Sequence, residues 1–185
     1  SVLIPPYDHK EIIAGQGTLG VEIIEQLYEI KFKPDLILCC CGGGGLIAGV
    51  ASAIKSKWKN VNIHPVEPNF WDDTKISLEN NRRYLIKNKK HSICDALLAE
   101  TPGKLTFDIN QKLLSKGLSV SDREVMKAIK IGYELLKMVI EPGGAVALAA
   151  SIAYKELIKN KNVLVILSGG NVDKDIFAKS LNCNF

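Results

Sequence analysis

The sequence has no long apolar run and few aromatic residues. No apolar stretch approaches the roughly 20 residues that a membrane-spanning helix needs, so no membrane association is predicted. Aromatic residues make up 6% of the 185 residues, and the formal net charge is only +4. Basic residues are densest between Arg82 and Lys90, where Tyr84 is the one aromatic side chain that could stack on a base. The composition therefore predicts neither a membrane protein nor a nucleic-acid-binding protein.

Cysteine is scarce, and its spacing excludes the common disulfide and metal frameworks. The five cysteines are odd in number and form no C-x-x-C pair. Three of them, Cys39, Cys40 and Cys41, stand together in an apolar stretch, where we expect them to behave as small apolar side chains. Unpaired buried thiols are typical of reducing compartments, and the sequence shows no secretory signal pattern. We therefore expect a cytoplasmic location.

One stretch, residues 36–50, predicts a ligand-binding loop. An unbroken apolar run, typical of a strand buried on both faces, is followed by Gly42, Gly43, Gly44, Gly45 and Leu46 and then by apolar positions at helical spacing. Bare backbone before a helix leaves several N–H groups free to bind an anion, most naturally a phosphate. The simpler alternative is a tight turn that lets the helix pack closely, for which one or two glycines suffice.

A glycine-rich loop before a helix also occurs in two kinds of nucleotide-binding protein. No Lys-Ser or Lys-Thr follows the glycines, so it is not a nucleotide-triphosphate loop. Gly43, Gly45 and Ala48 fit the dinucleotide pattern G-x-G-x-x-A, and Glu67 follows at the distance of a ribose-binding acid. The residues alone leave the dinucleotide interpretation open.

Strand-like and helix-like segments alternate along the chain. This order predicts a three-layer α/β fold with a mainly parallel sheet and with ligands at the carboxyl ends of its strands. Strands are expected at residues 36–41, 61–66 and 163–167, with a short strand or strand end at residues 12–13. Helices are expected from Thr18 to before Pro34, after the glycine loop, from the capping box at Ser121 to Leu136, over residues 145–158 and over residues 172–177. Two strands end in glycine loops, at residues 42–45 and 168–170, which suggests a small phosphorylated cofactor.

A pair of carboxylates follows the second predicted strand. Glu67 ends the strand and Asp73 stands six residues later, so the two side chains could share a hard cation together with a backbone carbonyl between them. Alternatively, Asp72 or Asp73 caps the helix that begins there. Spacing alone favours the helix cap.

Five segments, in order and spacing, resemble a known family. They are Gly15-Gln16-Gly17-Thr18, the loop 42–46, Val66-Glu67-Pro68, Glu141-Pro142-Gly143-Gly144-Ala145 and Ser168-Gly169-Gly170-Asn171. This pattern resembles the threonine/serine dehydratase and serine racemase family, pyridoxal-phosphate (PLP) enzymes with the tryptophan-synthase β-like fold. The resemblance runs over nearly the whole chain and makes the dinucleotide interpretation remote.

The resemblance implies a role for each matched residue. Backbone N–H groups of Gly42 to Leu46 would hold the cofactor phosphate, and Ser168 would bind the pyridine nitrogen. Glu67, the carbonyl of Trp71 and Asp73 would form a divalent-cation site for magnesium, calcium or manganese, which reverses the preference for a helix cap. The family acts on small amino acids, eliminating water and ammonia from threonine or serine to give a 2-oxo acid. Serine racemase-like or other hydroxy-amino-acid ammonia-lyase activity is the alternative.

The chain departs from the family pattern in one respect. The family forms its Schiff base on a lysine in a Ser-x-Lys motif well before the glycine loop, and the lysines before Gly42 are Lys10, Lys31 and Lys33, none in that setting. No catalytic residue is therefore assigned. We interpret residues 1–185 as the carboxyl-terminal part of the PLP-binding large domain, without the small domain and the lysine segment.

Three interpretations follow from this departure. The chain is a fragment of an intact enzyme, a natural truncation without activity, or one half of a split enzyme whose partner carries the lysine. Each predicts that the chain is inactive alone. Each also predicts exposed apolar surface, and therefore a homo-oligomer or a complementing chain.

Overall fold

The computed structural model describes residues 3–184 and has three layers, a sheet between two layers of helices, as predicted. The strands are β1 (Leu36–Cys40), β2 (Asn62–Pro68), β3 (Leu118–Val120) and β4 (Val163–Val165). The helices are α1 (Lys10–Glu29), α2 (Gly45–Lys57), α3 (Asp73–Asn80), α4 (Lys104–Leu113), α5 (Asp122–Leu136), α6 (Pro142–Ala153), α7 (Lys155–Ile158) and α8 (Lys174–Asn182), with a 3₁₀ turn at Asp95–Leu97. No helix within residues 3–184 is long and apolar enough to cross a membrane.

All strand pairs in the sheet are parallel, and the strand order is β3-β2-β1-β4. Strand β1 lies in the interior, with Leu36 opposite Asn62 of β2 on one side and Val163 of β4 on the other. Parallel strands place all their carboxyl ends at one edge of the sheet. The loops after β1, β2 and β4 therefore meet at that edge.

The core has two halves because successive side chains of β1 point to opposite faces of the sheet. Leu36, Leu38 and Cys40 pack with α5 and α6, whereas Ile37 and Cys39 pack with α2. Burial on both faces explains why β1 has an unbroken apolar sequence. It also explains how adjacent cysteines are accommodated as small apolar side chains, and all five cysteines are free thiols.

The motif Gly15–Thr18 lies inside helix α1 and does not precede a helix. The predicted short strand at Ile12–Ile13 is therefore wrong: the helix already begins at Lys10, where the His9 side chain accepts a hydrogen bond from the N–H of Glu11. Thr18 does not cap the helix, since its hydroxyl donates to the Gly15 carbonyl within α1 at 2.7 Å.

Packing between the two helices explains Gly20 in the interior of α1 and Gly49 in the interior of α2. A Cβ on Gly49 of α2 would lie 2.3 Å from the Ile13 carbonyl oxygen and 2.5 Å from the Gly17 nitrogen. A Cβ on Gly20 would lie 2.7 Å from the Cβ of Ala53. The glycines let the two helices approach more closely than side chains would allow, so tertiary packing overrides the low helix propensity of glycine.

The second half of the chain follows the prediction in part, since α4 and β3 had no predicted counterpart and α6 and α8 have other bounds than expected. The capping box of α5 is confirmed, with Ser121 and Glu124 bonded to each other's backbone N–H. The helix expected over residues 145–158 is interrupted at Tyr154, which separates α6 from α7. Strand β4 ends at Val165, so Ser168 follows it after a short extended segment.

Candidate functional site

The carboxyl edge of the sheet brings the glycine loop and Ser168 together. The side-chain oxygen of Ser168 lies 3.1 Å from Sγ of Cys40, the last residue of β1 and two residues before Gly42. Ser168 is exposed, whereas Cys40 is buried. The two positions that the sequence assigned to one crevice are therefore neighbours across β1 and β4.

The backbone N–H groups of the glycine loop have no partner in the part of the chain that the structure describes. Within residues 3–184, no carbonyl or side-chain acceptor meets the N–H groups of residues 42–47. Gly44 precedes helix α2 with φ +92°, a conformation that favours glycine, and no side chain caps this helix. Unpaired donors at the positive end of a helix dipole are the arrangement that binds anions.

The carbonyl groups of the same loop are held by helix α4. The Thr106 hydroxyl donates to the Gly43 carbonyl at 2.7 Å, and the Asn110 amide donates to the Gly44 carbonyl at 3.3 Å. In a trans peptide, the N–H of the next residue points opposite to the carbonyl. Anchoring these two carbonyls on α4 therefore directs the N–H groups of Gly44 and Gly45 away from α4.

The Cα sides of the glycines are filled by other parts of the protein. A Cβ on Gly43 would lie 2.4 Å from three ring carbons of Tyr7, and one on Gly45 would lie 2.8 Å from the Cβ of Tyr7. A Cβ on Gly44 would lie 2.7 Å from the Asn110 amide nitrogen. The glycines are thus also needed for close packing, which the sequence had offered only as the simpler alternative.

Tyr7 and α4 were not predicted as parts of this site. Asp8, next to Tyr7, accepts hydrogen bonds from the N–H groups of Lys104, Leu105 and Thr106 and so caps α4. The segment before α1 and the start of α4 therefore support the loop together. The Asp8 cap joins residues about a hundred positions apart, for which the sequence carries no local signal.

The loop after Ser168 is attached to the start of helix α6. The Glu141 N–H donates to the Gly169 carbonyl at 3.0 Å, and the Asn171 N–H donates to Oε2 of Glu141 at 2.9 Å. Glu141 is the residue before α6. Two of the family-like segments, at residues 141–145 and 168–171, thus contact each other and fix the backbone around Ser168.

The carboxylates Glu67 and Asp73 are both fully buried. Glu67 accepts hydrogen bonds from the N–H groups of Thr74 at 2.8 Å and Lys75 at 2.7 Å, in the first turn of α3. Neither carboxylate oxygen of Asp73 has a hydrogen-bond partner within residues 3–184. Burial, and then the neighbouring Asp73, raise the pKa of Glu67 well above its usual range, and burial raises the pKa of Asp73 to about 8.

The prediction that Asp72 or Asp73 caps helix α3 is wrong. Neither side chain caps α3: Asp72 has no capping hydrogen bond, and its carboxylate instead lies 3.2 Å from Nζ of Lys75. Glu67 supplies the cap from the end of β2. Because Glu67 is buried and bonded to α3, it does not have the exposed carboxylate that binding a ribose would require, which argues against the dinucleotide interpretation.

Trp71, the third residue of the implied cation site, lies between Glu67 and Asp73 in the sequence. Its indole N–H donates to the Lys90 carbonyl, and its backbone N–H donates to the Pro68 carbonyl. Phe70 has φ +70°, a conformation that is unusual for a bulky residue. Within the described residues no group of three or more His, Cys, Asp or Glu side chains is placed to hold a metal ion, so a site here would depend on backbone oxygen as well.

A groove of about 410 Å³ lies elsewhere, between α1, α2 and α4. Its lining residues include Ile13, Val21, Ala53 and Leu105, and none of the predicted site residues. The groove is therefore separate from the chemistry expected at the carboxyl edge.

The parallel sheet and the glycine loops at its carboxyl edge are features that can be compared with known protein families. A family model described as pyridoxal-phosphate dependent enzyme matches residues 1–169. The chain belongs to this family.

Relatives within the family narrow the comparison. The chain is 36% identical over 180 residues to a serine racemase of Schizosaccharomyces pombe, covering 97% of this chain and 54% of the relative. It is 34% identical over 182 residues to an L-threonine ammonia-lyase of Thermotoga maritima, covering 98% of this chain and 44% of the relative. The structure of the processed form of threonine deaminase isoform 2 from Solanum lycopersicum superposes with a TM-score of 0.88 at 36% identity, covering 96% of this chain and 51% of that one. The chain thus spans about half the length of these relatives.

Proposed function

We propose that this chain supplies the cofactor-binding part of a PLP-dependent enzyme that acts on small hydroxy amino acids. The relatives include serine racemases, an L-threonine ammonia-lyase and an L-threo-3-hydroxyaspartate ammonia-lyase. The substrates in these names are all amino acids that carry a β-hydroxyl group. The observation that carries the proposal is the row of N–H groups at residues 42–46, which have no acceptor within residues 3–184, beside the exposed hydroxyl of Ser168. Elimination of water and ammonia is the proposed reaction, with racemisation as the second candidate.

The two ends of the cofactor fit these two groups. Converging N–H donors and the dipole of α2 suit a phosphate dianion, and α4 already orients the peptide planes for it. A serine hydroxyl suits a pyridine nitrogen as a neutral hydrogen-bond partner. When bound, PLP supplies an electron sink for a carbanion at the substrate Cα, and the role of these residues is to anchor and orient it.

The amine that attaches the cofactor is proposed to come from outside these 185 residues. The sequence contains no Ser-x-Lys motif before the glycine loop. We propose that residues 1–185 form the carboxyl-terminal part of the large domain and that the lysine lies in a longer form of this polypeptide or in a partner chain. The 185-residue chain is then expected to release no 2-oxo acid from threonine or serine, and turnover by the isolated chain would contradict this.

If part of the enzyme comes from another chain, this chain needs a surface that contacts it. Leu135, Leu136, Met138 and Val139, at and after the end of α5, are all exposed, Leu135 to 74%. The Val139 carbonyl borders Gly170 in the loop that carries Ser168, so this apolar surface adjoins the site. We propose that it contacts a second copy or a complementing chain in the cytoplasm. A monomer in light scattering would contradict this.

Phosphate binding by the N–H groups of residues 42–46 is tested by removing one of these groups while helix α2 stays intact. Leu46 is the second residue of α2, and its N–H makes no helical hydrogen bond, so Leu46→Pro removes a donor at a position where helices accept proline. Leu46→Ala, which keeps the N–H, is the matched control. Because a hydrogen bond to a charged group contributes about 1.5 to 3 kcal/mol, the proline variant should bind PLP at least about tenfold more weakly than the alanine variant. Equal dissociation constants of the two variants in fluorescence titrations would refute phosphate binding by this loop.

The divalent cation is proposed separately, at Glu67, the Trp71 carbonyl and Asp73. Two buried carboxylates, one of them without any partner within residues 3–184, are the observation that supports it, and magnesium, calcium or manganese suits oxygen ligands. Each cation should raise the melting temperature of the wild-type chain. Asp73→Asn should abolish the increase, because it removes a charged ligand and keeps the size of the side chain. An equal increase in both proteins would refute the site.

A further inference from the structure

The contact between Cys40 and Ser168 joins a buried thiol to an exposed hydroxyl. The two side-chain atoms lie 3.1 Å apart, and this contact is a hydrogen bond in which either atom could donate. Cys40 is only 5% exposed and packs among Leu38, Val66 and Cys94 on the α5 and α6 side of the sheet. Ser168 therefore offers the thiol hydrogen a polar partner.

The direction of this hydrogen bond decides what Ser168 presents to a ligand. A hydroxyl has one hydrogen and two acceptor lone pairs. If the thiol donates to Ser168 Oγ, the hydroxyl hydrogen is free to bind the lone pair of an unprotonated ring nitrogen. If the hydroxyl donates to sulfur, only oxygen lone pairs face the ligand, and they suit a protonated nitrogen.

The surroundings favour the thiol as donor. Sulfur is a weak acceptor, and the exposed Ser168 hydroxyl has nitrogen or water as a better acceptor than sulfur. We propose that the Cys40 thiol is a positioning residue, which donates to Ser168 Oγ and turns the hydroxyl hydrogen outward to bind an unprotonated ring nitrogen. This inference rests on the proposed function for its ligand.

A first experiment tests the hydrogen bond in the chain without cofactor. The Cβ resonance of Cys40 in ¹³C-cysteine-labelled protein is followed against pH, with the Cys183 resonance as internal control. Ionised Cys40 accepts from the hydroxyl, and this charge-assisted bond is stronger than the neutral one, so Ser168→Ala should raise the midpoint by about one pH unit. The titratable groups around Cys40 are Glu141, Cys94 and the adjacent Cys39 and Cys41, and all are retained in this variant. An unchanged midpoint overturns the inference.

A second experiment tests the effect on the ring nitrogen. ¹⁵N-labelled PLP is bound to the full chain, and the ¹⁵N shift is followed against pH. Cys40→Ala removes the donor and lets Ser168 accept, so the nitrogen should protonate at higher pH than in wild type. Cys40→Ser, which keeps a donor, should restore the wild-type titration.

The outcomes of the two experiments separate the inference from the proposed function. A wild-type ¹⁵N titration in Cys40→Ala overturns the positioning role even if the cofactor binds. A wild-type chain that binds no PLP overturns the proposed function, and the Cys40 titration then still decides the hydrogen bond.

Discussion

The packing of helices α1 and α2 should tolerate alanine at Gly15 and not at Gly49. At Gly49, a Cβ would lie 2.3, 2.5 and 2.8 Å from three backbone atoms of α1, which no side-chain rotation can move away. Bringing the shortest contact to an ordinary distance requires the helices to separate by about 1 Å in a close-packed interior. At Gly15 of α1, a Cβ would meet nothing within 4 Å.

Alanine at Gly49 and alanine at Gly15 should change the free energy of unfolding in opposite directions. Gly49→Ala should destabilise the chain by about 2 to 3 kcal/mol, the upper part of the range for overpacking. Gly15→Ala should stabilise it by up to about 1 kcal/mol, because glycine is a poor residue in a helix interior. Urea denaturation of both variants and wild type, with equal m-values, measures the two differences.

The same pair of variants links the helix crossing to the cofactor loop. Helix α1 follows directly on Tyr7 and Asp8, which support the glycine loop and α4. Displacing α1 in Gly49→Ala should therefore also weaken PLP binding, whereas Gly15→Ala should not. A Gly49→Ala protein as stable as wild type would refute the packing argument. A destabilised one with unchanged PLP affinity would refute the coupling to the loop.

Two further predictions concern single side chains. Asp8→Ala removes the cap that accepts three N–H groups of α4 and should cost about 1 to 2 kcal/mol in urea denaturation; an unchanged midpoint would contradict the cap. Burial lowers the pKa of His64, whose Nδ1 lies 2.7 Å from the Lys116 carbonyl. The unfolded chain therefore binds a proton at His64 before the folded one does, so the contribution of His64 to stability should fall as pH decreases below about 6.5, with a slope of at most about 1.4 kcal/mol per pH unit. The raised pKa values of Glu67 and Asp73 act in the opposite direction, so the contribution is read from the difference between wild type and His64→Asn, which keeps a donor. Wild type should lose stability relative to this variant below about pH 6.5, and parallel curves would exclude the His64 contribution.

Local sequence patterns were sufficient for the centre of the fold. The apolar run of β1, the glycines and the helical spacing of α2 are contiguous, so the strand, loop and helix could be predicted together. The same holds for the capping box of α5. The start of α1 was missed because two glycines within three residues predict a turn unless a second helix is known to cross there.

The support of the site could not be predicted, because its contacts join distant parts of the chain. Tyr7 packs on Gly43, Thr106 bonds to the Gly43 carbonyl, and Asp8 caps α4. Glu67 caps α3 from the preceding strand, although the aspartates next to the helix are the residues that local rules select. Spacing alone allowed Glu67 and Asp73 to share a cation, and only the resemblance to a family favoured this pair over a helix cap.

The glycine loop shows that close packing and anion binding, which the sequence presented as alternatives, are compatible. Each peptide plane has a carbonyl that α4 binds and an N–H group that points the other way, while the Cα positions pack against Tyr7 and Asn110. Close packing and anion binding thus use different atoms of the same residues, so packing accounts for more glycines here than the one or two that a tight turn needs. A glycine-to-alanine change disturbs the packing and reports on stability first. Only a change that deletes an N–H and leaves the Cα packing in place, such as Leu46→Pro, reports on the anion directly.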